Sequence, residues 1–263
     1  MLENYEGFKQ KILKLTGIDL SSYKERQMRR RIDSLIHRNN YDDYDEYFKA
    51  LTQNSNLYDE FINYLTINVS EFYRNPEQWK VLENEIMPEI MKFNKKPKIW
   101  SAACSTGEEP YSLAMMMSRY VDLNSFRILA TDIDDAALNK AMVGIYSAKS
   151  LENLPRNFVD SFFVKSGDYY KVSERIINCI DFRHHNLLVD KYPENCDLIV
   201  CRNVMIYFTE EAKITMYHNF RNSLSNNGVL FVGSTEQIIL PYKYKLESIK
   251  TFFYKKSGQP LEV

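Results

Sequence analysis

Two adjacent acids in a loop of small residues are the first sign of chemistry in this sequence. A short apolar run, Ile99 to Ala103, leads into a loop with a single glycine, Gly107, which Glu108 and Glu109 follow. Small residues allow a ligand to approach the backbone closely. The loop lacks the GxGxxG pattern, and two acids would repel a pyrophosphate. It therefore favours a ligand with a positive charge, such as the amino or sulfonium group of S-adenosylmethionine, although an acidic helix cap would have the same composition.

A third acid stands at the end of the next predicted strand. Phe126 to Thr131 is strand-like, and Asp132 follows it directly. In doubly wound folds this is where the ribose hydroxyls of an adenosine are bound. Asp134 and Asp135 come next and are better explained as caps of the following helix.

A polar pair ends a further predicted strand, Asp197 to Cys201. Arg202 and Asn203 follow it, and Tyr207 comes shortly after. Such polar groups must either be hydrogen-bonded within the protein or be used for binding. The sequence leaves both explanations open.

The elements that would position these residues alternate between strand and helix from Lys98 onward. Val229 to Gly233 is a further predicted strand, and helices are indicated at 111–120, at 135–142 and from Thr209 to Asn226-Asn227-Gly228. Such alternation is typical of an α/β protein with a doubly wound, mostly parallel sheet. Two late runs, 244–249 and 251–255, predict an antiparallel hairpin at one edge.

Residues from about 150 to 181 interrupt this alternation. Three short apolar runs, 162–164, 169–172 and 176–180, lie around Ser166-Gly167-Asp168 and resemble strands. We therefore expect a small antiparallel β insertion there, rather than a crossover helix.

The N-terminal region has apolar residues at helical spacing instead. Met28, Ile32, Leu35 and Ile36 form one stripe, and similar stripes follow at 44–51 and 57–65. This spacing predicts a small helical bundle. We expect a helical domain over 1–74, a connector over 75–97 with a helix at 77–90, and an α/β domain over 98–263.

Composition narrows the class of protein further. A net charge of −1 gives no whole-chain attraction to nucleic acid. No apolar run approaches the roughly 18 residues of a membrane span, and the N-terminus lacks the features of a signal peptide, so we expect no membrane insertion. The four cysteines show neither a CxxC pair nor zinc-type spacing. Reduced thiols and no metal are expected.

Four segments of the chain resemble the CheR family, the chemotaxis receptor methyltransferases of bacteria. They are Thr66–Arg74, Ser101–Tyr111, Ala130–Asp134 and Cys201–Phe208, and their order and spacing match the family too. The resemblance extends from Tyr64 to Tyr254, and the N-terminal helices fit the family's accessory domain. It implies the Rossmann-like fold of class I S-adenosylmethionine methyltransferases.

The resemblance also implies an activity, which is methyl transfer from S-adenosylmethionine to glutamate side chains of a chemoreceptor's cytoplasmic helical domain. The products would be glutamate methyl esters and S-adenosylhomocysteine, formed during sensory adaptation. Carried over residue by residue, Arg74 and Tyr207 border the methyl group, and the cofactor contacts fall on Asn68, Ser70, Arg74, Glu109, Asp132, Asn186, Leu187, Arg202 and Asn203.

Two departures from the family pattern stand out. Ser70 replaces a threonine that is common in the family, and it keeps the hydroxyl. The segment from Ser166 to Asp181 is shorter than in members that dock a receptor's C-terminal pentapeptide, which argues against such tethering here.

A glutamate acceptor needs no general base, because its pKa near ~4.3 makes it a carboxylate at neutral pH. Its attack on a sulfonium cancels both charges. A cation pressed on the carboxylate would therefore stabilise the ground state more than the transition state. Arg74 and Tyr207 are expected to orient the reactants, with alignment and exclusion of water as the main catalytic contributions.

A local surplus of basic residues between Lys24 and Arg38 offers a way to choose the receptor. We expect Arg29, Arg30 and Arg31 to dock carboxylate-rich helices; a solvated helix face is the simpler alternative. The protein is expected to be a cytoplasmic monomer that is recruited to membrane-bound receptors and does not bind nucleic acid. A nucleic-acid methyltransferase and a sensor that binds the cofactor without turnover are the competing functions.

Overall fold

The structure, a computed structural model, describes residues 4–258. Residues 1–3, which carry part of the expectation that there is no signal peptide, and residues 259–263, the end of the predicted α/β domain, lie outside it. Two units are distinguished by their internal contacts. The first comprises the chain up to Asn68 together with Tyr207–Lys213, and the second comprises Val69–Ile206 and the chain from Ile214 onward.

The first unit contains four α-helices, three of which have a side-chain cap at the N-terminus. They are α1 (Tyr5–Thr16), α2 (Glu25–Arg38), α3 (Tyr44–Gln53) and α4 (Ser55–Thr66). The side chain of Asp43 accepts hydrogen bonds from the first turn of α3, and Asn54 does the same for α4. The apolar stripe of α2 is buried, with Ile32, Leu35 and Ile36 wholly inaccessible. The predicted helical bundle is confirmed.

The second unit opens with the predicted helical connector. It is α5 (Pro76–Val81), a π-helical turn (Leu82–Ile86) and α6 (Met87–Phe93). The π turn arises where Met87 donates its N–H to the carbonyl of Leu82, five residues back. Pro88 lacks an N–H and cannot continue a regular α-helical ladder, which accounts for the interruption.

Ten strands and five further helices follow in the described chain. The strands are β1 (Ile99–Ala102), β2 (Ile128–Asp132), β3 (Ile145–Ser147), β4 (Phe163–Ser166), β5 (Tyr169–Val172), β6 (Ile180–His184), β7 (Cys196–Cys201), β8 (Leu224–Val232), β9 (Leu246–Lys250) and β10 (Phe253–Lys256). The helices are α7 (Glu108–Met117), α8 (Asp135–Val143), α9 (Arg156–Phe162), α10 (Glu174–Ile177) and α11 (Glu210–Ser223).

Seven of these strands form the main sheet, in the order β6-β2-β1-β7-β8-β10-β9. The first five are parallel, and β9 and β10 form the predicted antiparallel hairpin. The chain proceeds outward from β1 through β2 to β6 and then returns to β7 on the other side of β1. The strand order therefore reverses between β1 and β7, where ligands bind in doubly wound sheets, beyond the carboxyl ends of the strands. The predicted α/β fold is confirmed.

The insertion differs in detail from the sequence prediction. Strands β3, β5 and β4 form a separate antiparallel sheet, so the insertion begins at Ile145 rather than near Ser150. The insertion also contains a helix, α9, that the sequence did not predict. The strand predicted at 176–180 is wrong. Ile176 and Ile177 lie on the helical turn α10, and β6 of the main sheet begins at Ile180.

The end of α11 was also predicted too late. The helix ends at Ser223, and β8 begins at once with Leu224 opposite Cys196. The pairing register then shifts, so that Leu198 lies opposite Val229. Asn226-Asn227-Gly228, predicted to end the helix, instead occupies this irregularity early in the strand.

Among the described residues, no helix combines the length and apolar character needed to cross a bilayer. The four cysteines are buried and free.

Candidate cofactor site

The loop after β1 has an unusual backbone that the end of β2 holds in place. Ala103, Ser105 and Gly107 all have left-handed φ angles, of 64°, 49° and 96°. A Cβ on Gly107 would meet the Cβ of Ala141 at 2.8 Å, so this position has no room for a side chain. The amide of Ser105 donates to the Asp132 carboxylate at 2.7 Å. The loop therefore depends on Asp132 for its shape.

Asp132 lies at the carboxyl end of β2, as predicted, and it is buried. Its second carboxylate oxygen accepts from the amide of Asp134 at 3.0 Å. Burial raises the pKa of Asp132 to about 6, although these backbone N–H groups favour its charged form. Asp134 caps α8 through the amide of Ala137, as predicted. Asp135 does not share that role, because its carboxylate contacts His184 at 2.9 Å.

Glu109 lies in the first turn of α7 and is buried. The hydroxyl of Ser101 donates to its carboxylate at 2.8 Å, and an Nη1 atom of Arg202 lies 3.9 Å from the other oxygen. Burial raises the pKa of Glu109 to about 7, and Arg202 only partly opposes the shift. Arg202 therefore offsets the burial of this acid only in part, and a bound cationic group would further favour its charged form.

Arg202 is engaged within the protein. Its Nη2 atom donates to the carbonyl of Arg74 at 2.7 Å and to the side chains of Asn75 and Gln78 at 3.0 and 3.1 Å. Its guanidinium carbon lies 4.8 Å from the centre of the Phe231 ring. This answers much of the question left open by the sequence, because Arg202 joins the end of β7 to the start of α5. Only its Nε remains buried without a hydrogen-bond partner in the described chain.

Asn203 combines a constrained backbone with an unmatched side chain. Its φ is 62°, and its amide donates to the carboxylate of Glu236. Its Oδ1 atom is buried and has no hydrogen-bond partner among residues 4–258. Buried acceptors are normally satisfied, so this atom is suited to a donor on a ligand. An acid whose burial Arg202 offsets only in part and an acceptor without a donor both fit the positively charged, amino-bearing S-adenosylmethionine.

The other predicted residues of the second unit lie along the same edge of the sheet. Ser70 hydrogen-bonds the carboxylate of Glu108. Arg74 donates to the carbonyl of Val69 at 3.1 Å. Asn186 and the buried Leu187 follow β6, whose end is joined to β2 by the amide of His185, which donates to the Asp132 carbonyl at 2.9 Å. The structure therefore brings Ser70, Arg74, Glu109, Asp132, Asn186, Leu187, Arg202 and Asn203 to the carboxyl edge.

Two predicted residues belong to the first unit. Asn68 follows α4, and its amide group donates to the hydroxyl of Thr66 at 3.1 Å. Tyr207 ends a short 3-10 turn, and its carbonyl accepts from the amide of Lys24 at 2.9 Å. Their roles at the cofactor stay predictions.

Sequence reasoning missed one buried acid, Glu236. It lies past the end of β8, and its carboxylate accepts from the amides of Asn203 and Gly233. An acid shortly after a predicted strand was the signal that identified Asp132, and the same signal is present here.

Within residues 4–258 there is no cluster of His, Cys, Asp or Glu that could hold a metal ion. Burial, with Asp132 and Glu109 nearby, holds the pKa of the Cys104 thiol well above its usual range. A protonated thiol is a poor nucleophile, so a packing role fits Cys104 better.

The doubly wound sheet and its acid-bearing switch point fit the class of Rossmann-like methyltransferases that use S-adenosylmethionine. Two family models match the sequence: one described as CheR methyltransferase, SAM binding domain, over residues 68–253, and one described as CheR methyltransferase, all-alpha domain, over residues 3–66. The chain belongs to the CheR methyltransferase family.

Similar proteins from several bacteria match almost the whole chain. The chemotaxis protein methyltransferase of Listeria monocytogenes is 45% identical over 256 residues, which cover 97% of this chain and 98% of the relative. The protein of the same name in Borreliella burgdorferi is 34% identical, with 87% and 89% covered. That of Escherichia coli is 31% identical, with 89% and 84% covered.

We expect the affinity for the cofactor product to rise with pH across neutrality. Burial raises the pKa of Glu109 to about 7, so below that pH its carboxyl is increasingly protonated and cannot attract a cationic amino group. Calorimetric Kd values for S-adenosylhomocysteine should weaken by up to about tenfold per pH unit below pH 7. The Glu109→Gln variant should bind more weakly and with a flat profile between pH 6.5 and 8; an unchanged slope in that variant would contradict the assignment.

Proposed function

We propose that this methyltransferase esterifies glutamate side chains on the cytoplasmic helical domain of chemoreceptors, as part of adaptation in chemotaxis. The observation that carries the acceptor is the 45% identity, over nearly the full length of both chains, to a chemotaxis protein methyltransferase. The acidic switch point supports the methyl donor. This proposal includes the predicted division into domains 1–74, 75–97 and 98–263. It also includes that the protein acts in the cytoplasm, as a monomer that is recruited to receptors.

The reaction is a single displacement with no proton to move. A glutamate carboxylate oxygen forms a bond to the methyl carbon, the bond from that carbon to sulfur breaks, and its electron pair stays on sulfur. S-adenosylmethionine, when bound, supplies the methyl group on a positively charged sulfur. The chain's own contribution is to align the two reactants and to exclude water, and alignment can supply up to roughly 7–11 kcal/mol.

Arg74 and Tyr207 are the proposed orienting residues. The Arg74 guanidinium is only half-buried and makes a hydrogen bond to a neighbouring carbonyl. A cation held in this way can orient a carboxylate without forming the tight ion pair that would stabilise the ground state. The carbonyl of Arg74 is held by Arg202, so the side chain starts from a fixed backbone.

Removing either orienting group should slow methyl transfer far more than it weakens cofactor binding. We expect Arg74→Ala and Tyr207→Phe each to lower kcat by about 100-fold, because misaligned reactants lose much of the rate. Calorimetry with S-adenosylhomocysteine should show that both variants retain measurable cofactor binding. Loss of binding alone, with an unchanged kcat at saturation, would refute these roles.

One labelling experiment tests the acceptor itself. The protein is incubated with a methyl-labelled donor and a receptor cytoplasmic domain, and the product is treated with base. Glutamate methyl esters release their label in base, whereas N-methyl and C-methyl products keep it. Base-stable label would indicate a different acceptor, such as a nucleic-acid base, and cofactor binding without any label would indicate a sensor.

The structure narrows the proposed docking surface on α2. The Arg29 guanidinium lies 5.2 Å from the ring centre of Tyr5. Arg31 lies 4.5 Å from the ring centre of Tyr64 and donates to its carbonyl. Arg30, in contrast, is exposed. We therefore propose that Arg30 is the arginine of this predicted trio that best fits docking.

Arg30 has basic neighbours on the same helix end. With Lys24, Arg26 and Gln27 it lines an open cavity of about 350 Å³. Lys24, Arg26 and Arg30 are exposed, and we refer to them as the basic α2 surface. A cavity with three cations suits the carboxylates of an acidic helical substrate.

Reversing the charge of the basic α2 surface should weaken receptor binding and spare the cofactor. Exposed ion pairs each contribute about 0.2–1 kcal/mol, so replacing all three residues with glutamate should raise the apparent KM for receptor by about tenfold. The matched control reverses three exposed lysines elsewhere, Lys92, Lys95 and Lys96. An equal rise in KM for both variants would contradict a specific docking role.

A further inference from the structure

The buried carboxylate of Glu236 joins the ends of two neighbouring strands. Glu236 is 6% exposed. One of its oxygens accepts from the amides of Asn203 and Gly233, the latter at 2.9 Å, and the other accepts from the amide of Ile206 at 3.3 Å. The loop that follows β7 is therefore held by a residue that follows β8.

The junction between the two strand ends has no room for a side chain at Gly233. A Cβ on Gly233 would meet the Glu236 carboxylate at 2.4 Å and the amide nitrogen of Asn203 at 2.8 Å. Asn203 adopts a left-handed backbone, a conformation that residues other than glycine, asparagine and aspartate rarely adopt. Bonds from Glu236 to the amides at both ends of this short loop keep Asn203 in that conformation.

Burying the Glu236 carboxylate costs free energy, and a purely structural role would not require this cost. Burial raises the pKa of Glu236 despite the backbone N–H groups that it accepts from, and its charge raises the pKa of Glu109 further. The strands themselves are already joined, because β7 and β8 are paired along most of their length. What Glu236 adds is the orientation of the loop beyond them, where the unmatched Oδ1 of Asn203 lies.

We propose that Glu236 is a positioning residue for the methyl donor. By holding the backbone of Asn203, it keeps the side-chain amide of Asn203 in the orientation that binds the donor. This inference rests on the proposed contact between Asn203 and the cofactor. Glu236 itself touches only backbone amides of its own chain in the described contacts, and its effect on binding passes through Asn203.

A double-mutant cycle on S-adenosylhomocysteine affinity tests this role. Glu236→Gln keeps the side-chain volume but places an NH2 group where backbone N–H groups need an acceptor. Asn203→Gly removes the amide group and tolerates the left-handed backbone. We expect Glu236→Gln to weaken the Kd by about tenfold in the original protein and by less than about twofold in the Asn203→Gly background.

The two ways to fail are distinguishable. If Asn203→Gly leaves the Kd unchanged, the proposed cofactor contact is wrong, and the inference falls with it. If Asn203→Gly weakens binding but Glu236→Gln costs the same in both backgrounds, the contact stands and the positioning role is overturned. The control is Glu83→Gln in the connector, which removes the ion pair between Glu83 and Arg119. This variant should not couple to Asn203.

A second variant addresses the same junction if Glu236→Gln fails to fold. Gly233→Ala crowds the carboxylate and the Asn203 amide without removing any hydrogen-bonding group. It should weaken binding by about tenfold in the original protein and much less in the Asn203→Gly background. Gly258→Ala, where a Cβ would meet nothing within 4 Å, is the matched control. Equal effects of Gly233→Ala in the two backgrounds would overturn the role.

Discussion

The hydrogen bonds of Arg202 are the interaction on which the arrangement of this site depends. One guanidinium nitrogen serves three acceptors in the turn that begins α5, while the plane packs over Phe231. Arg74 therefore starts from a backbone fixed to the end of β7. A lysine could not replace this group, because it would lose the planar guanidinium that packs over Phe231 and the second nitrogen that lies near Glu109. Arg202 therefore supports its neighbours, and its predicted contact with the cofactor stays a prediction.

The site also contains three acids whose burial costs free energy. Glu109, Asp132 and Glu236 are all buried, and burial raises the pKa of each. Buried carboxylates are tolerated when they are hydrogen-bonded. Asp132 and Glu236 meet this condition with backbone amides, and each shapes a loop at a strand end. Glu109 has a serine hydroxyl and a guanidinium nitrogen at 3.9 Å but no backbone amide among its described partners, which leaves it as the acid best suited to a cationic ligand.

The sequence predicted the parallel sheet, the hairpin and the helical bundle because hydrophobic periodicity determines elements of this length. It failed where two elements share one apolar run, as at Ile176 to Ile180, where a helical turn passes directly into a strand. It also failed at Asn226-Asn227-Gly228, because a shift in pairing register has no local signature. The strand-end residues were found by type and place. That Arg202 braces the turn at Arg74 could not be foreseen, since it depends on contacts between residues more than a hundred positions apart.

Both edges of the main sheet end in short strands with charged side chains. Asp181 and Arg183 lie on β6, and Glu247 and Lys250 lie on β9. An edge strand offers unpaired backbone groups to any other extended chain, and charged side chains on the strand discourage such pairing. The sheet is consequently a poor template for aggregation, and the protein should remain dispersed even where many copies gather at one surface.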